Sequence, residues 1–338
     1  MNVANADLNL QVVYLLWAPL GEDVVRRFAD SYRAHTAGVE HRLVVVCNGF
    51  DGPNDARLVA ARRALEGIAF ATIVLDDPVL DLAAYRIAAE LLSPARCCFL
   101  NSFSTILAPR WLAHLSEALD AADVGLVGAS GSWGSMRSYV RFQFGFGGAY
   151  ARPFSDRKAT NRILAAIAQR NLTEPPPSGF LVPKLRTLRS VLALQTVRNA
   201  VAQTRGFTTF PSPHVRSTGF MIDSETVAQL RLGSLASKMA TYRLESGAAS
   251  ITAQVRRLGL RTLVVDRQGR QFEPDDWPAS RTFWQGRQEN LMIADKQTGH
   301  YAEVEDAGRY VLAGFAWGEQ ADIAPPEPPP RSDGAREP

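Results

Sequence analysis

Two polar features of the chain have the residue types and surroundings that chemistry requires. One is the stretch Asn101-Ser102-Phe103-Ser104, which directly follows a short apolar run at 96–100. The other is Glu245, the only acid in its predicted turn. Small polar residues at a strand end let a ligand approach the backbone closely, and a carboxylate beside a hydroxyl can take its proton. The elements around these features decide whether the two meet.

Over the first 130 residues, short apolar runs alternate with amphipathic stretches of helix length. The runs predict strands at 11–17, 42–47, 70–75, 96–100 and 124–128, and the stretches between them predict helices at 22–35, 54–66, 80–92 and 109–121. Strands that are apolar on both faces and separated by helices indicate a parallel sheet covered on both sides. We therefore predict an α/β fold with a mostly parallel central sheet and helices on both faces.

The regular pattern returns after residue 213. It predicts a strand at 215–222, a helix near 223–231, a helix at 246–258 and a strand at 261–266. In open α/β sheets ligands bind at the carboxyl ends of the strands, so the loops there are the candidate sites. No G-x-G-x-x-G follows the first strand, and no G-x-x-x-x-G-K-[ST] occurs in the sequence. These absences argue against a dinucleotide-dependent dehydrogenase and a P-loop ATPase.

Basic residues are concentrated in the middle of the chain. Residues 152–205 hold ten Lys and Arg against two acids, whereas the whole chain has a net charge of +3. Such a segment predicts either a solvated lid or a surface that faces phosphates or anionic lipid. Its helix, at about 184–203, could lie on a membrane or pack on the sheet. The modest overall charge argues against nucleic acid as a partner.

The remaining composition indicates a globular protein of a reducing compartment. Cys47, Cys97 and Cys98 lie in or beside apolar runs and are expected to be reduced core residues. The start of the sequence does not resemble a secretory signal, so we expect a cytoplasmic protein, at most peripheral to an inner membrane. The Pro-rich stretch 319–338 predicts a disordered tail.

Over about residues 10–270 this layout resembles the nucleotide-sugar glycosyltransferases of the GT-A fold, family 2-like, of bacterial polysaccharide synthesis. The resemblance rests on a helix at Leu80–Leu92 after the third strand, on Pro109-x-Trp111-Leu112 after the fourth, and on Thr241 to Val265. It implies a nucleotide-sugar-binding half at 1–133, a basic insertion at 134–213 and an acceptor-side half at 214–318. It also implies transfer of a sugar, with inversion, from a nucleoside diphosphate donor to a glycan or lipid-linked acceptor.

In the family the fourth strand ends in an Asp-X-Asp loop that binds a divalent metal. Asn101 stands in this chain where the first aspartate belongs, with Phe103 and Ser104 at the other places. Amide and hydroxyl oxygens are poor substitutes for carboxylates around a hard cation, so no metal cofactor is expected. Arginine or lysine would hold the diphosphate instead, and the candidates are Arg96, Arg110, Arg216 and Lys238.

The resemblance also assigns the other site residues. The donor nucleotide would contact side chains at the first four strand ends, namely Trp17, Pro19, Asn48, Asp81, Asn101, Ser102 and Ser104. Glu245 matches the acid pair that holds the general base; alternatively, Ser246 caps a helix and Glu245 only lies at its positive end. The acceptor would contact Trp133, Trp284, Gln285, Arg287 and Gln288, although Trp133 could equally be a buried strand-end tryptophan.

A member of the fold that binds a glycan or a partner protein without catalysis is the alternative. The absence of the acidic loop favours this second hypothesis, and the acid at 245 opposes it.

Overall fold

A computed structural model describes residues 9–52, 54–143 and 204–323 of the chain. In the first half the strands are β1 (Leu10–Trp17), β2 (Arg42–Asn48), β3 (Phe70–Val74), β4 (Arg96–Leu100), β5 (Thr105–Ile106), β6 (Val124–Gly128) and β7 (Gly131–Ser132). The helices are α1 (Glu22–Ala34), α2 (Ala56–Ala64), α3 (Asp81–Leu91), α4 (Trp111–Leu119) and α5 (Met136–Gln143). The predicted alternation of strands and helices is confirmed to within a few residues at each end.

The second half supplies the other edge of the sheet and the helices that cover it. Its strands are β8 (His214–Val215), β9 (Phe220–Asp223), β10 (Arg261–Val265), β11 (Gln271–Phe272) and β12 (Ile293–Ala294). Its helices are α6 (Ser224–Gln229), α7 (Lys238–Ser246), α8 (Ile251–Arg257), α9 (Trp277–Ser280), α10 (Lys296–Glu303) and α11 (Asp306–Trp317).

The main sheet has eight strands in the order β11-β10-β6-β9-β4-β1-β2-β3. The pairs of β1 with β2 and β4, of β2 with β3, and of β6 with β10 are parallel. Strand β9 lies antiparallel between β4 and β6. The predicted mostly parallel sheet is confirmed, and β9 is inserted into its middle in the opposite direction.

Alternate residues of β1 enter two different hydrophobic cores. Val12 and Tyr14 pack with α1, α2 and α4 on one face of the sheet. Val13 and Leu15 pack on the other face with residues of α3, α7 and α8. A strand that is buried on both faces needs this continuous apolar sequence, which confirms the expected helices on both faces. Strand β3 differs, because it lies at the edge of the sheet and Val74 is half exposed.

The apolar run 215–222 does not form the single strand that was predicted. The chain turns at 216–219 between β8 and β9. Gly219 makes this turn with φ +66°, and a Cβ there would lie only 3.0 Å from Ile293 Cδ1. A left-handed backbone in so little space requires glycine. The turn places Arg216, Ser217 and Thr218 at the carboxyl edge of the parallel strands.

The helix predicted at 246–258 begins later than expected, because α8 covers only Ile251–Arg257 and the preceding helix α7 ends at Ser246. Each helix has a serine N-cap: Ser237 accepts from the Ala240 amide before α7, and Ser250 from the Ala253 amide before α8. Gly247 separates them, and a Cβ there would meet the Arg243 carbonyl at 2.5 Å. Glu245 therefore lies in the last turn of a helix and not at the start of one.

The described part of the C-terminal region extends past residue 318. Residues Gly318–Gln320 form a 3-10 turn, and the Asp322 amide donates to Gln285 at 2.8 Å. Residues 319–323, which were assigned to the tail, are thus attached to the fold. No helix of the described ranges is long and apolar enough to cross a membrane.

Candidate active site

The two polar features meet at the carboxyl edge of the sheet. The 101–104 loop leaves β4 there, and the 216–219 turn enters β9 at the same edge because β9 is antiparallel to β4. Glu245 approaches from the last turn of α7. Three segments that are far apart in sequence thus converge where α/β sheets bind ligands.

Asn101 uses both atoms of its side-chain amide within the protein. Its Oδ1 accepts from the Phe103 amide at 2.9 Å, and its Nδ2 donates to Thr218 Oγ1 at 2.6 Å. Ser104 closes the loop, because its backbone amide donates to the Asn101 carbonyl at 3.0 Å. The Asn101 side chain is therefore held by protein groups at both its donor and its acceptor end.

Ser102 joins the loop to the end of β1. Its hydroxyl donates to the Leu15 carbonyl at 2.7 Å and accepts from the Trp17 amide at 3.2 Å. The Tyr14 hydroxyl donates to the Ser102 carbonyl at 3.1 Å. Ser102 is buried, and these bonds satisfy polar groups that would otherwise be unpaired. Ser102 therefore attaches the 101–104 loop to the end of β1.

The residues of this loop do not fit a divalent metal. Its oxygens are amide and hydroxyl oxygens, and the Asn101 oxygen already accepts a hydrogen bond. Among the residues that the structure describes, no group of three or more His, Cys, Asp or Glu side chains could hold an ion. No chemical step is therefore assigned to a metal.

Glu245 is held by one short hydrogen bond. The Ser217 hydroxyl donates to Glu245 Oε1 at 2.6 Å. Burial raises the pKa of Glu245 to about 7, and the charge of Asp81 acts in the same direction. The Ser217 bond and the charge of Arg216 oppose the rise. A carboxyl with a pKa near neutrality can exchange protons with a substrate at physiological pH.

The helix-cap explanation of Glu245 fails on geometry. Ser246 is the last residue of α7, and Ser250 caps the following helix. The carboxyl-terminal end of a helix carries partial negative charge, which disfavours a carboxylate. The position of Glu245 is thus electrostatically unfavourable for its charged form and is not explained by helix stability.

Asp81 and Tyr85 lie on α3 near Glu245. Asp81 is exposed, yet surrounding protein raises its pKa by desolvation; its own backbone N–H and the Lys238 charge oppose this. The buried Tyr85 hydroxyl has no hydrogen-bond partner among the residues that the structure describes. Burial raises its pKa well above the ordinary value, and the charges of Asp81 and Glu245 contribute. Two carboxyls and a phenol therefore interact electrostatically here.

Arg216 lies near Glu245 and is held in a nearly buried ion pair. Its Nη2 donates to Asp295 Oδ2 at 2.6 Å and to Gln297 Oε1 at 2.8 Å. Its guanidinium lies 4.0 Å from the centre of the Phe283 ring. The pKa of Asp295 is lowered in spite of its burial, because Arg216 and the Thr298 amide stabilise its charge. Arg216 therefore places a positive charge near Glu245 but shares it with Asp295.

The other candidate cations lie in different surroundings. Arg96 pairs with Asp120 and Asp223 where β4 begins, at the opposite edge of the sheet from the loop. Arg110 is exposed and pairs with Glu117. The structure thus separates Arg96 and Arg110 from the 101–104 loop. Lys238 begins α7, and its charge acts on Asp81.

The donor residues predicted after β1 and β2 lie at the carboxyl edge of the sheet but differ in how far they are exposed. Asn48 is fully buried, and its amide exchanges two hydrogen bonds with the backbone of Val79, at 2.8 and 3.0 Å. Pro19 is exposed and Trp17 half-buried, with its ring against Gly49. Asn48 therefore fixes the loop before α3, whereas Trp17 and Pro19 form the surface at the end of β1.

The predicted acceptor residues are mostly committed to packing. Trp133 contacts Trp317 edge-on and donates to the Pro274 carbonyl at 2.7 Å. Gln285 donates to the Gln320 carbonyl, and Gln288 to the Thr298 carbonyl. Their amides therefore hold the segment that precedes α10, and Trp133 is only partly buried.

Trp284 and Arg287 lie in different surroundings. Trp284 stacks on Phe283, the ring beneath Arg216, and donates to the Gln297 carbonyl at 3.1 Å. Arg287 is exposed. Through Phe283 and Arg216, the structure connects Trp284 to the Glu245 region.

Sequence reasoning missed the residues that join these parts, namely Ser217, Thr218, Phe283 and Asp295. The signal for the first two was a small polar pair before Gly219, similar to the pairs after other strands. Asp295 could have been found as the N-cap of α10, where it forms a capping box with Thr298. The basic stretch 152–203 and the tail from 324 lie outside the described residues.

Comparisons with known proteins give similarity only to solved structures, since no family model and no curated protein matches. A mannosyltransferase from Pyrobaculum calidifontis, in complex with GDP-Man and Mn2+, has 19% identity and a TM-score of 0.29; it covers 36% of this chain and 34% of that one. GalNAc-T7 with UDP, GalNAc and Mn2+ has 12% identity and a TM-score of 0.29, covering 37% and 23%. S. aureus TarS 1-349 has 14% identity and a TM-score of 0.27, covering 36% and 34%.

This chain therefore spans about a third or less of each of these three structures. The fold class stands on the sheet itself, which makes this chain an α/β protein with a mostly parallel central sheet and helices on both faces.

Proposed function

We propose that the chain is a glycosyltransferase that moves a sugar from a nucleoside diphosphate donor to a hydroxyl of a glycan or lipid-linked acceptor. Support comes from the carboxyl edge of the sheet, where the 101–104 loop is bonded to the 216–219 turn and that turn is bonded to Glu245. One observation carries the proposal: a carboxyl of pKa about 7, held at 2.6 Å by Ser217, points to acid–base chemistry at this edge.

In this proposal Glu245 is the general base. In its ionised form the carboxylate takes the proton of the acceptor hydroxyl while that oxygen attacks the sugar carbon. The bond from the sugar to the diphosphate breaks on the opposite face, so the configuration inverts. Arg216, whose charge already acts on Glu245, helps to stabilise the departing negative charge. The 101–104 loop shapes the donor site through its backbone and hydroxyls, without a metal.

Thermal-shift titration with the diphosphates of uridine, guanosine and thymidine tests donor binding. Each nucleotide is added with Mg²⁺, with Mn²⁺ or with a chelator. We expect at least one diphosphate to raise the melting temperature to the same extent under all three conditions. Stabilisation that requires a metal would contradict the role given to the loop, and no stabilisation by any nucleotide would contradict the transferase.

The second candidate is a non-catalytic binding protein of the same fold. The observation that favours it is the 101–104 loop, whose Asn101 amide is engaged on both sides within the protein. Steady-state release of nucleoside diphosphate from UDP-, GDP- and dTDP-hexoses distinguishes the two. Binding of a nucleotide without any release of product would favour the binding protein.

A further inference from the structure

The turn between β8 and β9 binds three separate parts of the site through consecutive residues. Arg216 pairs with Asp295 at the start of α10 at 2.6 Å. Ser217 donates to Glu245 on α7 at 2.6 Å, and Thr218 accepts from Asn101 at 2.6 Å. The neighbours of Ser217 on both sides are therefore fixed to other elements, which holds the Ser217 backbone beside the Glu245 carboxyl.

Glu245 needs a hydrogen-bond partner because its surroundings disfavour the ionised form of its carboxyl and do not otherwise fix its side-chain conformation. It lies at the negative end of α7, and its pocket is lined by Leu126, Val215, Phe220 and Leu244 as well as Arg216 and Ser217. A glutamate side chain loses rotamer freedom when it is ordered, and a charge-assisted hydrogen bond is the contact that can hold it. The bond occupies Oε1 and leaves Oε2 for a substrate.

We propose that Ser217 is a positioning residue: its hydroxyl orients the Glu245 carboxylate and favours its ionised form, with Arg216 and Thr218 holding Ser217 in place. This inference rests on the proposed function, since the orientation matters only if Glu245 acts as a base. Ser217 itself need not touch the substrate. The hydrogen bond between Asn101 and Thr218 attaches the 101–104 loop to the same turn. The donor side of the site and the base are therefore connected through consecutive residues.

The inference predicts how the protonation of Glu245 changes. A hydrogen bond to the charged form lowers the pKa of a carboxyl, so its removal must raise the pKa. We expect Ser217→Ala to shift the titration midpoint of Glu245 upward by about one pH unit. Ser217→Thr keeps the hydroxyl and should restore the midpoint. Ser234→Ala, at an exposed serine, is the matched control and should shift nothing.

The experiment measures the midpoint without relying on activity. Glutamate is labelled with ¹³C at the carboxyl, and the Glu245 resonance is identified by its absence from Glu245→Gln. The full chain is titrated as wild type, Ser217→Ala, Ser217→Thr and Ser234→Ala. Release of nucleoside diphosphate from the hexose donor that the wild type uses is then followed against pH. In Ser217→Ala, we expect the pH at which the rate rises to increase together with the NMR midpoint. We also expect kcat to fall about tenfold, with little change in KM.

The outcomes separate the two proposals. Turnover by the wild type together with an unshifted midpoint in Ser217→Ala would overturn the role of Ser217 and leave the proposed function standing. A shifted midpoint that Ser217→Thr does not restore would also overturn it. If the wild type releases no nucleoside diphosphate from any donor, the proposed function fails, and a positioning role in catalysis fails with it.

Discussion

The 101–104 loop and the end of α7 lie at the same edge of the sheet but use their polar groups differently. In the loop, the Asn101 amide and the Ser102 hydroxyl are each engaged by other parts of the protein as donor and as acceptor. At the end of α7, Glu245 is half-buried, placed at the unfavourable end of a helix and shifted in pKa. The loop therefore stabilises the fold, whereas Glu245 is kept at a cost in stability, which is typical of groups that do chemistry.

Glu245→Gln is the most direct test of the contrast between Glu245 and the 101–104 loop. If Glu245 is the base, the release of nucleoside diphosphate in a steady-state assay should fall about a hundred- to ten-thousandfold. Nucleotide binding in the thermal-shift assay should be unchanged, because the amide keeps the shape of the side chain. Glu40→Gln, at an exposed acid, is the control. Turnover near the wild-type rate in Glu245→Gln would remove this residue as the base.

Arg216→Gln tests whether Arg216 stabilises the fold, as the 101–104 loop does. Its removal leaves the Asp295 carboxylate buried without its ion-pair partner, since the side chain of Asp295 is only 4% exposed. The free energy of unfolding in urea should fall by about 3 kcal/mol. Arg26→Gln, which breaks an exposed pair with Glu22, should change it by less than about 0.5 kcal/mol. Equal small effects would show that Arg216 has no structural task.

Asn101→Ala tests the structural role of the loop. The substitution removes the bonds to Phe103 and Thr218 and should lower the free energy of unfolding by about 2 kcal/mol. Ser104→Ala loses only a weak side-chain contact of 3.4 Å and should cost clearly less. Urea denaturation of both variants gives the comparison. Unchanged stability in Asn101→Ala would contradict a loop held by its own hydrogen bonds.

The stability of the wild type should also depend on pH through Glu245. The folded pKa, about 7, lies above the ordinary value of 4.5, so the native state binds the proton more tightly than the unfolded chain. This contribution is fully present below the unfolded pKa and is lost as the pH rises through about 7. Because the carboxyl is only half-buried, we expect a loss on the order of 1 kcal/mol. Urea unfolding at pH 5 and pH 8 measures it, and Glu245→Gln should lack this component. An identical pH dependence in both proteins would contradict the shift.

The spacing of apolar residues along the chain predicted most of the strands and helices. The apolar runs at 42–47, 96–100 and 124–128 predicted β2, β4 and β6 because a strand buried on both faces must be apolar at every position. The same rule predicted one strand over 215–222 and therefore missed the turn at 216–219 that divides this run. It also gave no sign that β9 would lie antiparallel between β4 and β6, because strand direction depends on the path of the whole chain.

The sequence by itself thus determined the elements, the edge of the sheet that carries the loops, and the presence of an acid at 245. Only the tertiary structure decided that Glu245 lies in the last turn of a helix and that Ser217 donates to it across 28 positions. It also decided that Asn101 meets Thr218, 117 positions away. Secondary structure follows from neighbouring residues, whereas these hydrogen bonds and the pKa of Glu245 depend on which distant groups packing brings together and how far it excludes water.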